Sequence, residues 1–311
     1  MATNLIETNP QIQTIERIGE RYRRRMNWHK TEKILTLQGK AMCRRICDGD
    51  KEAGSDLFER IAKLPSQSIG EILVVGHADP QIAMAVPEIH PLIDARALMA
   101  RSRAAVEKEY ETLAWDLPVM EWIESIDGVG PGSLVAIIGN TGNLWNYPTV
   151  QKLWKRMGLA VATDGRRQRN IKGASEEERL TNGYSAQRRS AVWNIGTSLM
   201  FAQTERKEKD KVTKEVTGIK KQAGLYRTIY DNRRAYEEAK NEAGDYAPLA
   251  RAILASSTFG KTTEAYKAYS QGKLPKAHLK ARAQRYMEKE FVKQLWINWR
   301  RTMTHARPIG G

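Results

Sequence analysis

Ile126-Asp127-Gly128-Val129-Gly130-Pro131-Gly132 lies between two short apolar runs, and its reading decides the fold. Residues 119–126 and the apolar stretch through Ile138 both read as helix. Gly128 and Gly130 permit positive φ and remove Cβ from the surface of approach. Val129 can plug the hairpin into a small core of its own, and Pro131 suits the first turn of a helix. Bare amides at that helix start can hold a phosphate, helped by the helix dipole. Such contacts position a nucleic-acid backbone and read no sequence. Gly128, Val129, Gly130 and Gly132 are therefore the first candidate binding residues. A plain tight helix–helix turn also favours glycine and is the alternative.

Outward from this helix-hairpin-helix pattern the chain reads as all-α. Ala, Glu, Lys, Arg, Leu and Met recur, and β-branched runs are short. Residues 11–47 read as helix, with Asn27 a candidate break and Ile34, Leu35, Met42 and Ile46 an apolar stripe. A shorter helix covers 52–63. Residues 69–91 are ambiguous: Ile72-Leu73-Val74-Val75 is strand-like, and Pro80, Pro87 and Pro91 break up the stretch after it. A long helix from Leu92 to Trp115 buries Leu98, Met99, Val106, Tyr110 and Leu113. Together these make a long antiparallel helical (coiled) pair ahead of the hairpin. Beyond it come helices over 149–157 and 184–205, a charged helical stretch over 203–247, and a last helix over 277–303.

Charge narrows the function. The formal charge is +15, and residues 201–311 hold 24 Lys and Arg against 12 Asp and Glu. A basic surface attracts phosphate polymers with salt-sensitive affinity. Two cysteines exclude a disulfide-built scaffold, and five scattered histidines exclude a histidine-rich metal site. No apolar run approaches a membrane span, and the first ten residues do not read as a secretory signal. The expectation is a cytoplasmic, nucleoid-associated protein.

The motifs resemble the carboxy-terminal domain of DEDD (Piv-type) insertion-sequence transposases and site-specific invertases. After the hairpin, Leu144-Trp145-Asn146-Tyr147 leads to Lys152-Leu153 and Met157-Gly158-Leu159-Ala160. Gly183 precedes Arg188-Arg189, and Gly272-Lys273-Leu274-Pro275-Lys276 precedes a basic helix with Leu295-Trp296. The likeness covers about 92–202 and 266–303. It implies four parts: 1–117 a coiled segment suited to dimerisation, 118–202 a DNA-binding domain, 203–265 a charged insertion, and 266–311 a basic helix completing the domain. Two departures stand out. The acidic residues Asp48, Asp50, Asp56, Asp79 and Asp94 do not fall on the βα framework of the family's ribonuclease-H-like metal domain. The family's serine nucleophile has no counterpart between Gly158 and Lys172, where Thr163 bears the substitute hydroxyl. No cofactor is expected in this chain, and magnesium enters only if a partner supplies the metal domain.

The basic loop with Arg166, Arg167, Arg169 and Lys172 is read as a phosphate clamp beside the hairpin, backed by Arg188 and Arg189. The series Lys280, Arg282, Arg285, Lys289, Lys293 either follows a backbone or is a solvated face. Trp145 and Tyr147 either stack on bases or close a core. Ala255 to Thr262 nearly matches a phosphate loop but lacks the preceding strand. The resulting expectation is a DNA-binding protein of transposase or recombinase type, with DNA as partner, a guide RNA as an open addition and self-association through the coil. The alternatives are a non-catalytic, structure-specific DNA accessory or repair module and a helical protein-interaction scaffold.

Overall fold

The structure, a computed structural model, describes residues 9–161, 167–171, 173–210, 213 and 215–306. These are mostly helical, with one two-stranded sheet. Contacts divide the chain into two compact units: Arg17–Leu113, and Met1–Glu16 with Ala114–Gly311.

The first unit is built from α1 (Pro10–Ile46), α2 (Lys51–Ala62), α3 (Ser66–Val75) and α4 (Pro80–Trp115). α1 runs without a break at Asn27. Arg21 pairs with Glu109 at 2.9 Å, Arg25 with Glu107 at 2.8 Å and Arg103 with Glu32 at 2.7 Å. As the α1 number rises the α4 number falls, so the two long helices are antiparallel. Partly exposed pairs of this kind contribute at most about 1 kcal/mol each; their use here is to fix register. Apolar packing seals the two ends of the pair. Ile18, Tyr22, Val106, Tyr110 and Leu113 are buried at one end. At the other, α2 and α3 close over Cys43, Cys47, Phe58, Ile61, Ile82 and Ile89. Of the expected stripe, Met42 and Ile46 pack against this core and Leu35 is half-buried, whereas Ile34 is 44% exposed, as are Leu37 at 59% and Leu98 at 50%.

Two further expectations are corrected in this unit. The strand-like Ile72–Val75 run closes α3, with Ile69 and Ile72 buried and Val74 and Val75 exposed. Spacing of three, rather than two, suits the one apolar surface available to it. Pro87 and Pro91 sit inside α4 rather than ahead of it. Both are exposed, on the side away from buried Ile82, Ala85, Val86 and Ile89. Water can satisfy the carbonyls whose partners the prolines remove, and burial of the opposite face holds the helix. Asp50 and Asp79, which the sequence did not place on a metal-site framework, are N-caps: their carboxylates accept from Glu52 and Ala53, and from Gln81 and Ile82.

The second unit holds α5 (Met120–Glu124), α6 (Pro131–Thr141), α7 (Val150–Arg156), α8 (Glu176–Asn182), α9 (Ala186–Ala202), the hairpin β1 (Arg206–Lys209) and β2 (Val216–Lys221), α10 (Leu225–Glu242), α11 (Ala247–Ser256), α12 (Glu264–Ser270) and α13 (Lys276–Thr302). α13 is the spine, packed by α7, α9 and α10. Met287, Phe291, Val292, Leu295 and Trp299 are fully buried along it. Indole N–H groups pin the surrounding loops: Trp154 donates to the Lys289 carbonyl at 3.1 Å, Trp296 to the Tyr147 carbonyl at 2.9 Å and Trp145 to the Met303 carbonyl at 2.8 Å. Trp145 and Tyr147 thus close a core. The 203–265 segment is not helical throughout, since β1 and β2 pair antiparallel within it. Nor is it peripheral: Tyr226 of α10 meets Phe291 edge-on at 5.6 Å. The stretch before the phosphate-loop look-alike is helix α11, so the strand that such a loop needs is absent there.

Gly54 marks a close approach of α2 to the α1 backbone. A Cβ on Gly54 would lie 2.6 Å from the Arg44 backbone, whereas one on Gly70 meets nothing. Gly54→Ala is expected to destabilise by about 1–3 kcal/mol, and Gly70→Ala to stabilise by about 0.5–1 kcal/mol. Urea unfolding followed by circular dichroism checks both; equal effects would contradict the close α1–α2 approach.

Candidate nucleic-acid interface

The glycine corner forms where the sequence places it, between α5 and α6, but its two sides differ. Gly128 has φ +93°, and a Cβ there would lie 2.7 Å from Ala202 Cβ and 2.8 Å from the Ser198 carbonyl. Ser198 Oγ donates to the Gly128 carbonyl at 2.6 Å, and Gln203 Nε2 to the Asp127 carbonyl at 2.9 Å. Gly128 is therefore a packing glycine that seats the corner on the end of α9, not a bare binding surface. Val129 is half-buried rather than a sealed plug.

The other side stays open. Gly130 is extended at φ −162°, and nothing lies within 4 Å of a Cβ built on it. Its carbonyl accepts from the Ser133 and Leu134 amides. The amides of Gly130 and Gly132 find no acceptor among the described residues. Pro131 occupies the first turn of α6, as anticipated. Asp127 is the one charge on the corner loop; Lys221 lies 2.7 Å from it and holds its carboxyl below the usual range. Lys221 also donates to the Ala202 carbonyl at 3.0 Å, tying the β hairpin to the corner. Ser198, Gln203 and Lys221 are the corner's supports that sequence reading missed, because each lies more than 65 residues away.

Of the basic residues read as a clamp beside this corner, Arg167, Arg169, Arg188 and Arg189 lie among the described residues. Thr163, Arg166 and Lys172 lie outside the described residues. Arg167 and Arg169 are exposed. The backbone around them is tied to α8: Gln168 Nε2 donates to the Asn182 carbonyl at 2.6 Å, and Asn182 Nδ2 to the Arg169 carbonyl at 2.8 Å. Arg188 donates to the Gly183 carbonyl at 2.8 Å, and burial, with Arg156 nearby, depresses its pKa. Arg189 turns inward. Its Nη2 sits 2.9 Å from Glu288 Oε2, and its guanidinium lies 5.5 Å from the Trp193 ring centre. Successive helical residues turn by about 100°, so Arg189, Trp193 and Gly196 share one face of α9. Ser198 and Ala202, which hold the corner, share roughly the opposite one. Ser175 and Ser185 cap α8 and α9, accepting from the Glu178 and Arg188 amides.

Gly196 makes room for Glu288: a Cβ there would lie 2.7 Å from Glu288 Cγ. Glu288 is 1% exposed, and Gln284 Nε2 donates to its Oε1 at 3.0 Å. Its ion pair with Arg189 lacks hydrogen-bond alignment at Oε2. Burial accordingly prevails over Arg189 and pushes Glu288 up to about 7. Of the α13 series, Arg282 is held by Glu237 at 2.6 Å and Lys293 by Glu290 at 3.5 Å, whereas Arg285 and Lys289 have no carboxylate partner among the described residues. No group of three His, Cys, Asp or Glu side chains converges among the described residues, and none of their helices is long and apolar enough to cross a membrane. Compared with known protein families, with curated proteins and with solved structures, the chain shows no match.

Two outcomes follow from this geometry. Gly128→Ala should cost about 1–3 kcal/mol through its left-handed backbone, with the Ala202 clash adding to it, while Gly130→Ala should be close to neutral in thermal unfolding. An unfolded glutamate titrates near 4.3, so the folded chain holds the Glu288 proton more tightly. Stability from this group is present below about pH 4.3 and is lost as pH rises to about 7. Glu288→Gln should flatten the pH profile of the unfolding midpoint across that window; an unchanged slope would place the titration elsewhere.

Proposed function

We propose that this chain binds the sugar-phosphate backbone of DNA through the α5–α6 corner, as a transposase- or recombinase-type DNA-binding protein. The observation that carries the reading is the pair of unclaimed amides at Gly130 and Gly132. They sit at the start of an 11-residue helix, on a turn made rigid from behind by Ser198, Gln203 and Lys221. A phosphate there gains two N–H donors and the positive end of α6. The order of motifs around the corner supports the transposase-type assignment, and the +15 charge supports a polyanionic partner.

Gly130→Asp is the direct test. Gly130 has open space and an extended backbone, so aspartate fits without unfolding the corner while placing a negative charge at the phosphate position. Affinity for a 20-base-pair duplex, read by fluorescence anisotropy, should fall about tenfold or more with the circular dichroism spectrum unchanged. Wild-type affinity should drop steeply as salt rises. Equal affinities for the two proteins would remove the corner from the interface.

Self-association through the coil is favoured by a specific patch. The register of the α1–α4 ion pairs sets Leu37 near Leu98, and both are at least half exposed, beside Ile34. A second copy presenting the same patch would bury all three. Leu37→Lys with Leu98→Lys should convert a dimer to a monomer in sedimentation velocity; a wild-type monomer at tens of micromolar would end this reading.

A further inference from the structure

Arg285 lies in the middle of α13, half-buried, and forms no hydrogen bond or ion pair with any described residue, although its Nε is shut off from solvent. An arginine in such a place ordinarily holds a carboxylate. Two carboxylates are near, and both are committed. Glu288, about one turn further along α13, faces Arg189 at 2.9 Å. Glu237 on α10 holds Arg233 and Arg282 at once, each at 2.6 Å. Lys289, one turn beyond Arg285, rests 5.0 Å from the Trp154 ring centre without an acid. Arg189 Nη1 is buried and unpartnered as well.

The surroundings feel this imbalance. Burial, then Arg189 and Arg167, push Arg285 down to about 10. Burial, then Arg282, Arg167 and Arg285, push His278 at the start of α13 down to about 4, so it is neutral and supplies no further charge. Among the described residues, Arg189, Arg167 and Arg282 thus crowd Arg285, while the carboxylates Glu288 and Glu237 are engaged by Arg189 and Arg282.

We propose that Arg285, Arg189 and Arg167, brought from α13, α9 and the basic loop, form an oxyanion site that takes a phosphate group. Arg285 Nε and Arg189 Nη1 are both shut off from solvent without an acceptor, Arg189 meets Glu288 one turn from Arg285, and the charge of Arg167 is felt at Arg285; guanidinium forks suit tetrahedral phosphate oxygens. A carboxylate side chain of a partner would satisfy one fork and leave the others. The site stands apart from the α5–α6 corner, because Arg189 and the corner's anchors occupy opposite faces of α9. Its phosphate comes from a nucleic-acid backbone, which rests on the function proposed above, or from a free phosphate or phosphorylated small molecule, which does not.

The test uses the full chain and two probes. Inorganic phosphate, titrated against chloride at constant ionic strength, should raise the wild-type unfolding midpoint saturably. That rise should vanish in Arg285→Gln, shrink in Arg285→Lys, which keeps the charge but loses the fork, and persist in Arg179→Gln on exposed α8. With a 20-base-pair duplex, Arg285→Gln should weaken binding about tenfold and reduce the salt slope by about one, independently of Gly130→Asp. A phosphate effect lost in Arg285→Gln with duplex affinity unchanged supports the site and overturns nucleic acid as its source. A phosphate response that is absent in the wild type, or the same in Arg285→Gln and Arg285→Lys as in the wild type, overturns the site itself.

Discussion

The close approach of α9 to α13 at Gly196 is the contact on which the larger unit depends. Because residue 196 has no side chain, the Glu288 carboxylate fits against α9, where a Cβ would lie 2.8 Å from its Oε1. Gln284 then clamps the two helices, its amide reaching the Trp193 carbonyl and Thr197 Oγ1, each at 3.3 Å. That fixes the rotation of α9 about its own axis. One face is committed to α13, and the opposite face is left to receive the glycine corner through Ser198, Ala202 and Gln203. Gln203 extends the chain of dependence, since its Oε1 accepts from the Tyr226 amide at 2.8 Å and so seats the first turn of α10. A buried ion pair such as Arg189–Glu288 adds little net stability, because desolvation offsets most of the attraction. What it contributes is selection of one helix register over its neighbours.

The sequence was most informative where local chemistry decides local structure. The glycine corner, Pro131 at the head of α6, the long helices and their antiparallel course were all legible from residue type and spacing. Its failures share a cause. Whether Ile72–Val75 becomes strand or helix depends on what lies beneath it, and the four residues carry no record of that. Pro87 and Pro91 look like breakers until their exposed placement on α4 is known. Gly128 and Gly130 look equivalent in the motif, yet one is buried against α9 and the other is open. The partners that distinguish them, Ser198 and Ala202, are about 70 residues away.

Charge was legible in amount and misleading in place. Several bases in the last third of the chain are paired locally, Arg227 with Asp231, Arg234 with Glu238 and Lys273 with Glu242, so the excess rests on the others. Arg188 and Arg189, read from sequence as backing the basic loop, are half-buried and engage the Gly183 carbonyl and Glu288. The informative residues are the few whose counter-charge is missing, and that property belongs to the fold. Arg285 and Arg282 are indistinguishable as basic residues of one amphipathic helix. Only the position of Glu237 on α10 satisfies one and leaves the other.

The placement of the two proposed phosphate positions bears on what the chain would do with nucleic acid if both were occupied. A corner and an arginine cluster on one face would grip neighbouring phosphates of one strand and act as a single, stronger clamp. Set on opposite faces of α9, they cannot share a phosphate, and a helix with its side chains is about 10–12 Å thick. Two backbone segments engaged at once would then run on either side of α9, held apart by a rigid element. Neither contact reads a base, so selectivity under this arrangement comes from the shape and spacing of the two segments. Branched or paired DNA, where strands from different duplexes are kept separate and close, is the substrate that such an arrangement would suit.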